Sequence, residues 1–86
     1  MKSKGIGRQL HQPGSKPDGL SADTVRANIR RVRKEKRLSA QQVAERVGIS
    51  RPFYTQLEGG RRRLSIDYLL AIAESLGVNV RDLFKL

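Results

Sequence analysis

From residue 20 onward, apolar residues recur every three or four positions, which is the spacing that places them along one side of an α-helix. No segment alternates apolar and polar residues in the way that a half-buried strand requires. One apolar stripe contains Val25, Ile29 and Val32, and another contains Ile66, Leu69, Leu70, Ala73 and Leu76. The pattern predicts an all-α domain over residues 20–86.

The beginnings of the helices are marked by a repeated local pattern. At five places an apolar residue precedes a Ser or Asn, and a second apolar residue follows four positions later. The polar side chain can accept from free N–H groups of the first helical turn, while the two apolar residues pack against each other. The sets are Leu20-Ser21-Val25, Leu38-Ser39-Val43, Ile49-Ser50-Tyr54, Leu64-Ser65-Leu69 and Val78-Asn79-Leu83. They predict five helices, at about residues 22–36, 40–47, 51–58, 66–76 and 80–85.

Capping residues support these boundaries. Ser39 with Gln42, and Asn79 with Asp82, have the spacing of a capping box or its acidic variant. Glycines stand where helix C-terminal caps are expected, at Gly48, at Gly59 or Gly60, and at Gly77. The connections are therefore short, and we expect a compact five-helix bundle.

The second and third predicted helices are separated only by Gly48, Ile49 and Ser50. A left-handed glycine followed by an N-cap serine forces a sharp turn between crossing helices, which is the arrangement of a helix-turn-helix. We expect Ile49 to point into the core. The residues expected to pack the two helices together are Val43, Ala44, Val47, Tyr54 and Leu57.

If that side is buried, the opposite side of the third predicted helix is available to a ligand. Arg51 and Gln56 can form bidentate hydrogen bonds with base edges, Arg with guanine and Gln with adenine. Pro52 or Phe53 can contact a thymine methyl group, although Phe53 can equally be a core or dimer-contact aromatic, and Arg51 can be a solvated charge. The candidate base-reading residues are Ser50, Arg51, Pro52, Phe53, Thr55 and Gln56.

Candidate phosphate contacts flank this helix in the sequence. Three adjacent arginines follow Gly60, and the start of the second predicted helix offers backbone N–H groups with polar side chains. The candidates are Ser39, Gln41, Gln42, Arg61, Arg62 and Arg63. The many basic residues of the first predicted helix spread around it, so only some can face DNA, and the others are expected to form a solvated surface.

Charge favours a polyanionic partner. The chain of 86 residues has a formal net charge of +10, which favours nucleic acid first and an anionic membrane surface second, unless the charge serves only solubility. There is no cysteine and a single histidine, His11, which excludes disulfide scaffolds and thiolate zinc sites and leaves no triad or metal cluster. No apolar run approaches the length of a membrane span, and the first residues lack the apolar segment of a secretory signal.

Residues 1–19 differ in composition from the rest of the chain. They contain four glycines and two prolines, and four basic residues stand against Asp18 alone. Such a stretch cannot bury enough apolar surface to offset the entropy lost on ordering. We expect a flexible basic arm preceding a domain at residues 20–86. The arm either touches DNA or is simply a disordered terminus.

The predicted helical domain resembles a known family. The residues that carry the resemblance are Ala44, Gly48, Ile49-Ser50-Arg51, Gln56-Leu57-Glu58, Gly60 and Leu76-Gly77-Val78. Over about residues 22–84 the chain resembles the lambda-repressor-like, Cro-type (XRE) helix-turn-helix family of phage repressors and bacterial regulators. The resemblance implies a five-helix DNA-binding domain whose third helix enters the major groove, usually as a dimer on a palindromic operator.

By position, the resemblance implies base-facing roles for Ser50, Arg51, Pro52 and Gln56 and a structural role for the carboxylate of Glu58. Two positions depart from the family pattern. Ala40 stands where the family often has a Gln that contacts phosphate, and Gly59 stands where Asn or Arg is more frequent. We therefore ask whether Gln41 takes over the phosphate contact.

The sequence thus predicts a sequence-specific, DNA-binding transcriptional regulator of a bacterium or a phage, which we expect to be a repressor. We expect it to act without a cofactor as a homodimer on double-stranded DNA, in the cytoplasm and associated with the nucleoid. The alternative is a protein-interaction module on the same fold, either an antitoxin or a bridging factor. An enzyme is not indicated, because the carboxylates of the chain are scattered and do not resemble an enzyme site. The candidate dimer contacts are Leu83, Phe84 and Leu86, although Leu83 and Phe84 can equally cap the core of one chain.

Overall fold

The computed structural model describes residues 20–86, which form helices connected by short turns. The α-helices are α1 (Ala22–Glu35), α2 (Ala40–Val47), α3 (Arg51–Gly59) and α4 (Ile66–Leu76), and a 3-10 helix follows at Val80–Phe84. No strand occurs in this part of the chain, so the all-helical prediction is confirmed. The predicted arm at residues 1–19 lies outside the described residues, and its boundary stays a prediction.

The helices begin where the sequence pattern placed their N-caps. At all five starts the Ser or Asn side chain accepts a hydrogen bond from a backbone N–H of the first turn. Both predicted capping boxes are present. The N–H of Ser39 donates to Gln42 Oε1 over 2.8 Å, and the N–H of Asn79 donates to Asp82 Oδ2 over 3.2 Å. Each cap satisfies N–H groups that have no partner within the helix.

The predicted fifth α-helix at residues 80–85 is wrong in type, because Val80–Phe84 is a 3-10 helix. In this helix the N–H of Asp82 donates to the carbonyl of Asn79, three residues back, over 2.9 Å. The Nδ2 group of Asn28 on α1 donates to the carbonyls of Leu83 and Lys85 over 2.8 and 2.7 Å. A segment this short forms a single tight turn. Its last carbonyls accept from the distant Asn28 side chain, whereas in a longer helix they would accept from later backbone N–H groups.

The core lies between α1, α2, α3 and α4, and the 3-10 helix closes it by packing against α1 and α4. The largest fully buried side chains are Tyr54, Ile29, Leu57, Ile72, Leu76, Leu83 and Val43. Complete burial of one aliphatic side chain of this kind contributes roughly 1.5–3 kcal/mol. Two members of the second predicted stripe, Ile66 and Leu70, remain exposed because the stripe is wider than the contact that α4 makes. The packing holds α3 against α1 and α2 and leaves its other side to solvent.

Candidate nucleic-acid interface

The turn between α2 and α3 sets the direction of α3. Gly48 has φ +89°, a left-handed conformation that side-chain-bearing residues adopt only with strain, and its N–H donates to the carbonyl of Ala44 over 2.8 Å. The N–H of Ile49 donates to the same carbonyl over 3.0 Å. Ser50 then caps α3 by accepting from the N–H of Phe53 over 3.2 Å. Two short helices therefore cross at a three-residue turn, as the sequence predicted.

The inward side of α3 is fully buried. Tyr54 and Leu57 have no exposed surface, and Val43 and Ala44 on α2 are equally buried beside them. Ile49 is only partly buried, packed against the core rather than inside it. The burial of this side determines which residues of α3 can face a ligand.

A buried polar cluster joins the same side of α3 to α1. Glu58 accepts from Arg33 through two hydrogen bonds, Nε to Oε2 at 2.9 Å and Nη2 to Oε1 at 3.0 Å, in a paired geometry. The Tyr54 hydroxyl donates to Oε2 of Glu58 over 2.6 Å. Arg30 Nε lies 3.6 Å from Oε1, and Arg33 Nη1 also donates to the carbonyl of Leu38 over 3.0 Å. The cluster fixes the rotation of α3 about its own axis.

The protonation states of this cluster follow from its surroundings. Burial is the largest influence on Glu58 and by itself would raise the pKa of the carboxyl, but the hydrogen bonds from Arg33 and Tyr54 and the charges of Arg33 and Arg30 together lower the pKa below its ordinary value. The hydrogen bond to Glu58 raises the pKa of Arg33. Burial raises the pKa of Tyr54. The cluster therefore consists of a carboxylate, a guanidinium and a neutral phenol at pH 7.

A second arginine of α1 holds the end of α3. Arg26 Nε donates to the carbonyl of Leu57 over 2.9 Å, and its Nη2 donates to the carbonyl of Arg62 over 3.3 Å. Its Nη1 lies 3.2 Å from Oδ1 of Asp23. Because Leu57 is in the last turn of α3 and Arg62 is in the loop beyond it, Arg26 joins the helix to the loop that follows.

The outward side of α3 holds the predicted base-reading residues. Ser50, Arg51, Pro52 and Thr55 are exposed, and Phe53 and Gln56 are half-buried. The hydroxyl of Ser50 is occupied by its capping bond, and that of Thr55 donates to the carbonyl of Pro52 over 2.9 Å. Of these residues, Arg51 is an exposed cation whose side chain has no hydrogen-bond or ion-pair partner within residues 20–86.

A contact cluster on this side joins α3 to the loop that follows it, and consists of Phe53, Gln56 and Arg62. Arg62 Nε donates to Gln56 Oε1 over 3.0 Å. The guanidinium carbon of Arg62 lies 4.6 Å from the centre of the Phe53 ring, a cation–π distance. Phe53 and Tyr68 of α4 are in T-shaped contact, with ring centroids 5.2 Å apart. Arg62 is thus joined to a residue that was predicted to read bases.

The other predicted phosphate contacts divide into two groups. Gln42 completes the capping box with Ser39, and Gln41 Nε2 donates to Glu45 Oε2 over 2.9 Å, so these three polar side chains are engaged within α2 and its cap. Arg61 and Arg63 are exposed, and their side chains have no hydrogen-bond or ion-pair partner in the described part of the chain. Of the predicted phosphate contacts, the cations without a partner within residues 20–86 therefore lie in the loop after α3.

The predicted dimer contacts lie in different environments. Leu83 is completely buried in the core, whereas Phe84 and Leu86 are 39% and 81% exposed. Phe84 also lines an apolar surface cavity of about 340 Å³ together with Leu20, Val25 and Ile66. Of the predicted dimer contacts, Phe84 and Leu86 therefore remain available for association, and Leu83 does not.

Sequence reasoning missed the arginines that hold α3. Arg26 and Arg33 were grouped with solvated or DNA-facing charges, yet each side chain is only 13% exposed and bonded across the core. The sequence signal that pointed to this region was the structural carboxylate of Glu58, which the resemblance implied. Over residues 20–86 there is no cluster of three or more metal-ligating side chains, and no helix long and apolar enough to cross a membrane.

Comparison with known proteins places this geometry in a family. A helix-turn-helix family model matches residues 29–83. The uncharacterized HTH-type transcriptional regulator YqaE of Bacillus subtilis (strain 168) is 38% identical over 58 residues, which cover 67% of this chain and 50% of YqaE. The immunity repressor protein of Bacillus phage phi105 is 37% identical over 57 residues, 66% of this chain and 40% of the repressor.

A solved structure matches over a similar extent. The restriction-modification controller protein C.AhdI from Aeromonas hydrophila superimposes with a TM-score of 0.68 and 28% identity, covering 73% of this chain and 96% of that one. The chain spans half or less of the length of YqaE and of the phage repressor. Residues 29–83, which the family model matches, contain α2, α3 and the buried cluster around Glu58. The chain belongs to the XRE-type helix-turn-helix family.

Proposed function

We propose that this chain is a sequence-specific DNA-binding transcriptional regulator that acts as a repressor and places α3 in the major groove of double-stranded DNA. One observation carries the proposal. Arg51 is exposed, and its side chain has no partner within residues 20–86, near the start of a helix whose opposite side, at Tyr54 and Leu57, is completely buried. An arginine at the N-terminal end of a recognition helix is well placed to donate to guanine O6 and N7.

The dimensions and the charge support the same reading. α3 has nine residues, and the major groove of B-DNA, about 12 Å wide, admits a helix. Arg61 and Arg63 lie in the loop that follows α3, where free guanidinium groups can donate to phosphate oxygens. Among relatives, the phage phi105 protein is named an immunity repressor, which favours repression over activation.

We also propose that the protein binds as a homodimer on a palindromic operator, in the bacterial or phage-infected cytoplasm. Phe84 and Leu86 are the contact residues in this proposal, and Leu83 is not, because its side chain is buried in one chain. Two copies related by a two-fold axis would place their recognition helices at half-sites about one helical turn, roughly 34 Å, apart.

A second candidate is a protein-interaction module on the same fold, either an antitoxin or a bridging factor. Ile66 and Leu70 on α4 are 61% and 48% exposed, and large exposed apolar residues favour contact with another protein. This candidate predicts a stable complex with a different protein and no enrichment of any DNA sequence.

Selection of bound sequences from random duplex DNA, repeated at several salt concentrations, tests the proposal. We expect one palindromic consensus and an affinity that falls steeply with salt, because arginines displace condensed counterions. The double variant Arg51→Ala with Gln56→Ala, with unchanged far-UV circular dichroism, should lose the consensus. Recovery of unselected sequences by the wild-type protein would contradict sequence-specific binding.

A further inference from the structure

We propose that Arg62 is a positioning residue for base recognition, which holds the Gln56 amide with its NH₂ group outward so that the two side chains together prefer guanine. The inference rests on the proposed function, since it names how α3 would read one base pair. It gives Arg62 a role that differs from the sequence-independent phosphate contact expected for the three loop arginines.

Arg62 is held from several directions. Its guanidinium lies over the Phe53 ring, and Phe53 is in turn supported by Tyr68. Its backbone carbonyl accepts from Arg26, and its backbone N–H donates to the carbonyl of Gln56 over 3.2 Å. The loop backbone and the stacked ring therefore place the guanidinium beside Gln56. By contrast, the neighbouring Arg61 and Arg63 have no side-chain partner within residues 20–86.

The chemistry of the contact determines the orientation of the amide. A guanidinium has only donors, so the atom of Gln56 that faces Arg62 Nε must be the acceptor Oε1, at 3.0 Å. The Nε2 group of Gln56 then points away from Arg62, with two N–H donors that have no partner within residues 20–86. The two terminal NH₂ groups of Arg62 add further donors beside Gln56.

This display of donors predicts the preferred base. A free Gln reads adenine by accepting from N6 and donating to N7. Here one lone pair of Oε1 accepts from a cation, which makes Oε1 a weaker acceptor for adenine N6, and the NH₂ groups of Gln56 and Arg62 are donors. Guanine offers two acceptors, N7 and O6, and no donor on its own major-groove edge, whereas adenine presents one acceptor and one donor. We therefore expect guanine at the base pair that Gln56 faces.

Binding measurements on matched duplexes test the inference. The variant Gln56→Ala identifies the base pair that Gln56 faces, because this variant should lose its base preference at that pair alone. At that pair we expect the wild-type protein to favour guanine over adenine by about tenfold, within the range for one specific base contact. Arg62→Ala should remove this preference or shift it toward adenine, because the amide is then free to rotate.

Arg63→Ala is the matched control, since it removes the same charge from the same loop. It should weaken the guanine and adenine duplexes equally. The inference is overturned if Arg62→Ala behaves in the same way, or if the wild-type protein prefers adenine at that pair. If the wild-type protein selects no sequence at all, the proposed function itself fails.

A measurement without DNA tests the contact directly. In the free, ¹⁵N-labelled protein, the side-chain NH₂ resonances of Gln56 should shift after Arg62→Ala and stay in place after Arg63→Ala. Unchanged resonances in both variants would mean that Arg62 does not hold the amide in solution, which would overturn the inference whatever the DNA results.

Discussion

The arginines of α1 and those of the loop after α3 carry the same charge but have opposite surroundings. Arg26 and Arg33 are each 13% exposed, and their donors are occupied by Glu58 and by backbone carbonyls of other segments. Arg61 and Arg63 are exposed, and their side chains have no partner within residues 20–86. The first pair stabilises the position of α3, and the second pair is free to bind.

This difference shows why net charge alone does not locate a binding surface. A guanidinium whose N–H groups are satisfied inside the protein has little left to donate to a phosphate or a base. A free guanidinium beside an exposed helix retains all five donors. Arg62 lies between these extremes, because one N–H is occupied by Gln56 and the remaining donors are available.

The largest expected effect is on stability, and it comes from the buried Arg33 of α1 and its carboxylate partner Glu58. Glu58→Leu removes the acceptor of Arg33 and Tyr54 and leaves a largely buried guanidinium without its carboxylate. We expect the free energy of unfolding to fall by about 3–5 kcal/mol, which urea unfolding followed by circular dichroism at pH 7 can measure.

Glu35→Ala provides the matched control for this loss. Glu35 pairs with Arg31 at 3.3 Å on the exposed surface of α1, with both side chains at least half exposed. Removing this pair should change the free energy of unfolding by at most about 0.5 kcal/mol. Equal losses in the two variants would contradict a structural role for the buried cluster.

Acid should weaken the same cluster, by less than the complete removal of Glu58. The folded-state pKa of Glu58 lies below its unfolded value of about 4.3, so the unfolded chain takes up the proton first as the pH falls. The stabilisation is complete above that value and is lost as the pH falls through the folded-state pKa. Glu58→Gln should therefore have a flatter dependence of Tm on pH below about pH 4.3, and parallel curves would contradict this assignment.

On the exposed side, Arg51→Ala should have the largest effect on binding. We expect it to weaken binding to the selected duplex by about 1–3 kcal/mol and to relax the preference at one base pair of each half-site. Fluorescence anisotropy with single base-pair substitutions measures both quantities. The structural reason is that Arg51 is exposed at the start of α3 and that its side chain has no partner in the described part of the chain.

Arg81→Ala removes the same charge from an exposed position on the 3-10 helix and controls for net charge. It should weaken all duplexes slightly and equally. If Arg51→Ala gave this same uniform loss, Arg51 would not read a base.

Much of the fold could be predicted from the sequence because its determinants are local. Each N-cap with its flanking apolar residues lies within a few positions, and the bounds of α2 and α4 coincide with the prediction. The 3-10 helix could not be predicted, because its end depends on Asn28, more than 50 residues away along the chain. Local rules identify where helices begin but not which distant side chain ends them.

The candidate site was only partly predictable for the same reason. The outward residues of α3 follow from helical periodicity once Tyr54 and Leu57 are assigned to the core. The partners of individual arginines do not, since Arg33 and Glu58 are 25 positions apart, and Arg26 and Leu57 are 31 apart. Such pairs become visible only when the packing of α1 against α3 is known.

The smallest expected effect belongs to a loop arginine. Arg61→Ala should reduce the slope of log affinity against log salt concentration by about 0.9, the value for one phosphate contact, and should weaken every duplex by the same factor. The reason is that a free guanidinium beside DNA displaces a condensed counterion without reading a base. Anisotropy titrations at several salt concentrations on the selected and a scrambled duplex measure the slope. A loss confined to the selected duplex would move Arg61 into the base-reading group and remove the distinction between it and Arg62.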